Sequence, residues 1–141
     1  MEREAHKLIA DVAVLAGDRV LLVKYRDVSA YDGQRGWFLP DAPLVRPEHP
    51  DDGAVRILHD QLGIDARPRL DHIETFGNGA WHLIFHFRAD LDAPAPVVPG
   101  DNVLAAEWFP ITALPRDQEM AHDGWGKEVV NTILAAGSDT P

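Results

Sequence analysis

Residues 36–64 read GWFLPDAPLVRPEHPDDGAVRILHDQLGI, which is a loop, a short amphipathic helix and a second loop. Pro50 suits the first turn of a helix, and Gly63 suits the left-handed residue that often follows the last turn. The spacing therefore predicts a helix over residues 50–62.

One sector of the predicted helix surface, formed by positions 57, 60 and 61, decides which chemistry the helix can support. Mg²⁺ prefers hard oxygen ligands, mostly carboxylates and water, and adjacent acids in such a sector would supply them. Here the sector contains Ile57, Asp60 and Gln61. Isoleucine offers no ligand, and glutamine keeps an oxygen but lacks the charge that offsets dehydration of the ion. One acid remains, which makes a weak cation site.

From position 42 onwards the stretch resembles the Nudix box, whose pattern is Gly, five residues, Glu, seven residues, Arg-Glu-apolar, any residue, Glu-Glu, any residue, Gly-apolar. The positions that match or nearly match are Glu48, Arg56, Leu58, Asp60, Gly63 and Ile64. The positions that differ are Ala42, Ile57 and Gln61. The resemblance implies an ion pair between Glu48 and Arg56 that ties the loop to the helix. It also implies a divalent metal at the depleted sector.

The same resemblance implies a set of catalytic candidates, namely Glu48, Arg56, Asp60 and Asp101. Asp101 stands in for an acid that many family members place in the loop before the strand that contains Trp108, because the usual position is Asn102 here. The candidate metal ligands are Asp60 and Glu48. We expect Mg²⁺ to bind them weakly or not at all.

Ligand-binding candidates also follow from the resemblance, since Nudix ligands generally lie against the sheet beside the box. Three aromatic residues are candidates to stack on a base, namely Tyr25, Tyr31 and Trp37. Three cations are candidates to meet phosphate oxygens, namely Lys24, Arg26 and Arg35.

The rest of the chain predicts one α/β (α+β) domain over residues 1–137 and a flexible tail over 138–141. Apolar runs predict strands over 7–16, 19–24, 37–39, 69–76, 81–89 and 105–109, and a second helix over 127–136. Gly77-Asn78-Gly79 indicates a hairpin between two of these strands. Strands, box helix, strands and a final helix indicate a mixed sheet between helices, which matches the Nudix α/β/α sandwich.

Composition narrows the partners and the compartment. The chain has 13 Lys and Arg against 23 Asp and Glu, a net charge of −10, so a long nucleic acid would be repelled. The absence of cysteine fits a reducing compartment and excludes thiol catalysis. No run of about eighteen apolar residues and no signal-peptide pattern occurs, so we expect a cytoplasmic protein without membrane contact.

Seven histidines raise the question of a transition-metal site. His82 and His86 share one face of a predicted strand, but positions four apart on a strand are separated by about 13 Å, too far to bind one ion together. We therefore expect both to be surface or pocket-edge residues.

Three functions are consistent with these features. The first is a Mg²⁺-dependent hydrolase of nucleoside diphosphates linked to another group, with a non-standard metal site. The second is a Nudix-fold protein that binds a nucleoside-diphosphate-type ligand, with weak or absent pyrophosphohydrolase activity. The third is a structural or protein-binding domain. We favour the second because the missing acids would act on transition-state charge. The family resemblance also leaves a homodimer open, although nothing in the sequence marks an interface.

Overall fold

Two α-helices and six strands are connected by loops and short 3-10 turns in the computed structural model, which describes residues 6–78 and 80–138. The strands are β1 (His6–Ala16), β2 (Arg19–Tyr25), β3 (Asp41–Pro43), β4 (Arg69–Asn78), β5 (Ala80–Leu91) and β6 (Val103–Pro110). The helices are α1 (Pro50–Leu62) and α2 (Trp125–Ser138).

β1 is the centre of a single mixed sheet with the order β4-β5-β1-β2-β6. It runs parallel to β5 along its whole length, from His6 opposite Trp81 to Ala16 opposite Leu91. Its other edge is shared, because β3 pairs with the first half of β1 and β2 pairs with its end. β4 and β5 form an antiparallel hairpin, as the glycines around Asn78 predict, and Gly79 lies outside the described residues.

α1 has the predicted bounds, and its capping explains them. The His49 ring accepts a hydrogen bond from the backbone N–H of Asp51 at 3.0 Å, and Gly63 ends the helix with a φ of 67°. The apolar face of α1 packs against one face of the sheet, where Ile57 and Leu58 are completely buried.

α2 covers the opposite face of the sheet and forms the second core, to which it contributes Val129, Val130 and Ile133. Because side chains alternate along a strand, Asp11 of β1 lies on the same face as Ala13 and Leu15, which belong to this core. The predicted mixed sheet between helices is therefore confirmed.

The proline-rich segment 92–100 crosses the C-terminal end of α1 and satisfies two of its last carbonyl groups. Val98 N–H donates to the Leu62 carbonyl and Gly100 N–H to the Gln61 carbonyl, each at 2.9 Å. A side chain at position 100 would collide with the Asp60 carbonyl oxygen, so this approach requires glycine.

Several predicted bounds differ from the structure. Residues 37–39 make only isolated bridges, through Trp37 and Phe38, and the third strand begins at Asp41. α2 begins two residues early, at Trp125, and includes Ser138, which was assigned to the tail. Residues 139–141 of that tail lie outside the described part of the chain.

Candidate functional site

The start of the box is held by the ion pair that the family resemblance implies. Arg56 Nε lies 2.8 Å from Glu48 Oε2 and Arg56 Nη2 lies 3.0 Å from Glu48 Oε1. Glu48 Oε1 also accepts the backbone N–H of Val45 at 3.0 Å. The hydrogen bond from Arg56 is the main reason why the pKa of Glu48 lies below its ordinary value. Both oxygens of this carboxylate are therefore engaged in holding the loop.

At position 61, a glutamine amide is bonded at both ends. Its Oε1 accepts the Tyr25 hydroxyl at 2.7 Å, and its Nε2 donates to the Asp41 carbonyl oxygen at 2.8 Å. The Tyr31 hydroxyl donates to the same carbonyl at 3.1 Å, and Tyr25 in turn accepts the Asp41 N–H at 3.0 Å. We call these four residues the amide network. Since a carbonyl oxygen only accepts, position 61 must present a donor to it, which an ionised carboxylate lacks.

The other two positions of the sector point away from the amide network. Ile57 has 0% exposure and belongs to the core under α1. Asp60 is exposed, and its carboxylate lies 3.1 Å from His59 Nδ1. Within residues 6–78 and 80–138, neither Glu48 nor Asp60 belongs to a group of three or more close metal-ligating side chains. The box side chains therefore do not fit a Mg²⁺ site.

The two tyrosines of the amide network are stacked on each other, with ring centroids 4.1 Å apart and planes 6° apart. Tyr25 has 3% exposure and no free face to offer a base. Burial, helped by the charge of Asp41, raises the pKa of Tyr25 well above its ordinary value and that of Tyr31 to about 12. Both hydroxyls therefore remain protonated donors at neutral pH.

The remaining candidates lie elsewhere on the surface. Lys24 Nζ lies 4.8 Å from the ring centroid of Trp37, and the Trp37 ring packs edge-on against Phe109. Arg26 and Arg35 are exposed.

Asp101 is exposed in the turn before β6. Its neighbour Asn102 joins that turn to the loop after β2, because its side chain accepts the Asp27 N–H at 2.8 Å and donates to the Asp27 carbonyl at 3.0 Å. Asn102 therefore has a structural connection at the position where many family members have an acid.

A cleft of about 1010 Å³ lies between the amide network and the β4–β5 hairpin. Its aromatic walls come from Tyr31, Phe38, Phe76 and Trp125. Its polar lining comes from Lys7, Asp11, Asp32, Asp41, His82 and His122. Of the predicted site residues, Tyr31 alone contributes to this cleft in the described part of the chain. The prediction that His82 is a pocket-edge residue is confirmed.

The carboxyl groups of the cleft influence each other. Burial, together with the charges of Asp11 and Asp32, raises the pKa of Asp41 well above its ordinary value. At the mouth, the Asp32 carboxylate lies 3.8 Å from Lys7 Nζ and 3.2 Å from His122 Nε2. The cleft therefore has a paired acid at its mouth and, further inside, a carboxyl whose pKa is raised.

His86 is not on the surface, and the expectation for it was wrong. It has 0% exposure, with Nδ1 2.7 Å from Asp11 Oδ1 and Nε2 2.7 Å from Glu74 Oε1. Burial lowers the pKa of His86, but the bonds to Asp11 and Glu74 raise it by more, so that it lies above its ordinary value. Considering one strand at a time missed these partners, because they lie on the two neighbouring strands.

The fold combines a mixed sheet between two helices with a loop that is tied to α1 by the ion pair of Glu48 and Arg56. A family model described as NUDIX domain matches residues 5–130, and this chain belongs to that family. No curated protein matches the sequence significantly.

Solved structures agree with the family assignment at the level of the fold. A NUDIX hydrolase from Nitrosomonas europaea matches with a TM-score of 0.73 and 17% identity, over 92% of this chain and 89% of that one. A MutT NUDIX hydrolase from Burkholderia pseudomallei matches with a TM-score of 0.72 and 22% identity, over 92% of this chain and 98% of that one. A MutT/nudix family protein from Enterococcus faecalis matches with a TM-score of 0.80 and 18% identity, over 99% of this chain and 65% of that one.

Proposed function

We propose that this chain binds a nucleoside-diphosphate-type ligand in the cleft and that its pyrophosphohydrolase activity is weak or absent. The observation that carries the proposal is the amide network around Gln61. Where the box pattern has an acid, a neutral amide is bonded to Tyr25 and to the Asp41 carbonyl. With Ile57 in the core, the sector of the helix formed by positions 57, 60 and 61 offers a divalent ion one acid, Asp60.

The shape and lining of the cleft support a ligand with a flat ring. Its volume of about 1010 Å³ is at the upper end of ordinary ligand pockets. Trp125 and Phe76 pack edge to face with centroids 6.0 Å apart, and both line the cleft. Aromatic surfaces of this kind bind bases by stacking.

Charge orients the ligand in this proposal. Asp11 and Asp41 line the inner wall, and their carboxyl oxygens can accept from the amino group of a base, so the base lies at this wall. The diphosphate lies at the mouth, where Lys7 supplies a positive charge to the lining. Phosphates placed at the inner wall would meet the carboxyl oxygens of Asp11 and Asp41 instead of a cation.

A further support comes from one protein of the same fold. A bifunctional NMN adenylyltransferase/ADP ribose pyrophosphatase from Francisella tularensis was solved with AMP and a manganese ion. It matches 97% of this chain with a TM-score of 0.74 and 16% identity, and this chain covers 43% of it. The fold is therefore used by a protein that binds a nucleotide.

Ligand binding is tested by thermal unfolding of the natural chain with a panel of nucleoside diphosphates and nucleoside-diphosphate sugars, with and without Mg²⁺. A ligand at about one hundred times its Kd stabilises the fold by about 2.7 kcal/mol, a rise in Tm of about 10 °C. Ala30→Trp fills the cleft from an exposed position and should abolish the rise, whereas Ala93→Trp, on an exposed loop outside it, should not. Flat Tm values across the panel would favour a structural or protein-binding domain instead.

Turnover is tested separately, by release of phosphate or nucleotide from the same panel with Mg²⁺. We expect rates close to those without protein. Robust hydrolysis by the natural chain would favour the active hydrolase with a non-standard metal site. This assay distinguishes binding without chemistry from binding with chemistry, because the Tm shift is the same in both cases.

A further inference from the structure

On the α2 face of the sheet, three strands bring polar side chains into one row. His86 of β5 lies directly opposite Asp11 of β1 and directly opposite His72 of β4. Glu74 follows two residues after His72, so it points to the same face. The His72 and His86 rings are 4.5 Å apart between centroids, and Glu74 Oε1 is 2.7 Å from His86 Nε2.

Each of the two imidazoles is held by its own aspartate. His86 Nδ1 is 2.7 Å from Asp11 Oδ1, and His72 Nδ1 is 2.7 Å from Asp71 Oδ2. The second pair depends on a bulge, because the register of β4 shifts between Leu70 and His72 and leaves Asp71 as the extra residue. Nδ1–H bonded to a carboxylate fixes the tautomer and directs the Nε2 lone pair outward, an arrangement that metal-binding histidines commonly have.

We propose that His72, Glu74 and His86 form a binding site for one divalent transition-metal ion of the zinc class. The three side chains each offer a ligand atom, and these atoms all lie within 4.8 Å of one another. Two imidazole nitrogens and one carboxylate oxygen are a common zinc set, with bonds of about 2.0–2.2 Å, and they do not suit Mg²⁺. The ion takes the place of the proton shared by His86 and Glu74, which is released to solvent on binding.

The surroundings fit an ion that enters from solvent and keeps one open position. The His72 and Glu74 side chains are 25% and 34% exposed, whereas His86 and Asp11 are buried. The Trp125 ring lies 5.4 Å from the His86 ring and shields the site on one side. Water therefore has access to the fourth position.

The site is separate from the box and from the cleft ligands proposed above. None of its three ligands lines the cleft, although Asp11 and Trp125 border both. The proposal does not depend on the nucleotide proposal, since it concerns the binding of a metal ion alone. Either can fail without the other.

The test uses the full chain without an affinity tag, stripped of metal with EDTA and dialysed. Calorimetric titration with Zn²⁺ should give one ion per chain, and Mg²⁺ should give no heat at the same concentrations. Co²⁺ should give visible absorption bands of a four-coordinate site with nitrogen and oxygen ligands. Absence of stoichiometric Zn²⁺ binding would overturn the proposal.

Variants locate the ion. His72→Ala and Glu74→Gln should each weaken Zn²⁺ binding at least tenfold, and Asp71→Asn should weaken it by about 10- to 100-fold through the orientation of His72. The matched control is His59→Ala, which removes a histidine paired with Asp60 on α1 and should leave the affinity unchanged. Far-UV circular dichroism and Tm in EDTA check that each variant is folded. Because the His72 and Glu74 side chains are partly exposed, we expect their substitution to leave the fold intact. Unchanged affinity in both the His72 and Glu74 variants would assign the metal to another place and refute the site.

Discussion

Two regions on opposite faces of the sheet hold polar groups in opposite ways. In the amide network, Gln61 satisfies its donors and acceptors with neutral protein groups, and the adjacent Ile57 is core. In the histidine cluster, defined as His72, Glu74 and His86 with their partners Asp11 and Asp71, ionisable groups satisfy each other, from buried His86 and Asp11 to partly exposed His72 and Glu74. The three positions of the helical sector have thus lost most of a cation site, whereas a row of side chains across three strands provides a candidate ligand set for another.

The two regions differ in whether a metal ion can displace a bound hydrogen. An amide hydrogen bonded to a carbonyl cannot be exchanged for an ion without breaking the network. A proton shared by an imidazole and a carboxylate can be exchanged for a metal ion, because the lone pairs that held the proton then bind the metal.

Ile57→Glu returns an acid to the box and should destabilise the fold by about 4 kcal/mol or more, because the carboxylate would be buried in the core without a partner. Urea unfolding at pH 7 measures this loss of unfolding free energy. Burial raises the pKa of the new carboxyl, so stability should fall further as pH rises. Ile57→Val, as a control for volume, should cost about 1 kcal/mol. A small loss of stability in Ile57→Glu would mean that the side chain at position 57 can reach solvent, which would contradict its burial in the core.

Asp11→Ala should cost about 3 kcal/mol, since it leaves buried His86 without its Nδ1 partner. Urea unfolding in EDTA measures this effect without metal. The matched variant is Asp71→Ala, whose histidine is partly exposed and can turn to water, so its cost should be below about 1 kcal/mol. Equal costs in the two variants would contradict the view that His86 is the buried anchor of the cluster.

Gln61→Glu should destabilise the chain by about 1–3 kcal/mol at pH 7, because a carboxylate oxygen would face the Asp41 carbonyl. This repulsion raises the pKa of Glu at position 61 in the folded state, so the loss should shrink as pH falls through the ordinary range of glutamate. Asp60→Asn, an exposed change on the same turn, is the control and should stay within about 0.5 kcal/mol. A stability equal to that of the natural chain at pH 7 would refute the amide network.

Glu48→Gln should have the smallest effect, about 1 kcal/mol at pH 7, measured from urea midpoints across pH. The pKa of Glu48 is lowered by Arg56, so its contribution is present above the ordinary pKa of 4.5 and is lost as pH falls through the lower folded value. The difference between the natural chain and Glu48→Gln should therefore vanish in strong acid. A difference that persists there would place the cause outside the ion pair.

The sequence predicts the local parts of this molecule best. Proline and glycine fix the ends of α1, because capping depends on neighbours within one turn. The pair of Glu48 and Arg56 was implied by the family resemblance. β3 was missed because its three residues become a strand only by pairing with β1. The early start of α2 at Trp125 follows 3-10 turns with backbone angles that no periodic pattern indicates.

The candidate sites show the same difference between local features, which the sequence predicts, and contacts between distant elements, which it does not. That positions 57 and 61 lack acids is visible in the sequence, but the bonds of Gln61 to Tyr25 and Asp41 depend on how β2, β3 and α1 come together. The histidine cluster depends on the lateral register of β1, β5 and β4 and on a one-residue bulge. A cross-strand comparison of His72 and His86 is the signal that would have found it, once the hairpin register was known.

The contact between segment 92–100 and the end of α1 restricts how related chains can differ. Gly100 and Val98 supply the main-chain donors for Gln61 and Leu62, whereas exposed Asp92 and Ala93 stand further from the helix. Homologues with a longer loop should therefore insert residues near position 93 and retain glycine at 100. An inserted sequence at the helix side would uncover two carbonyl oxygens and loosen the last turn of α1.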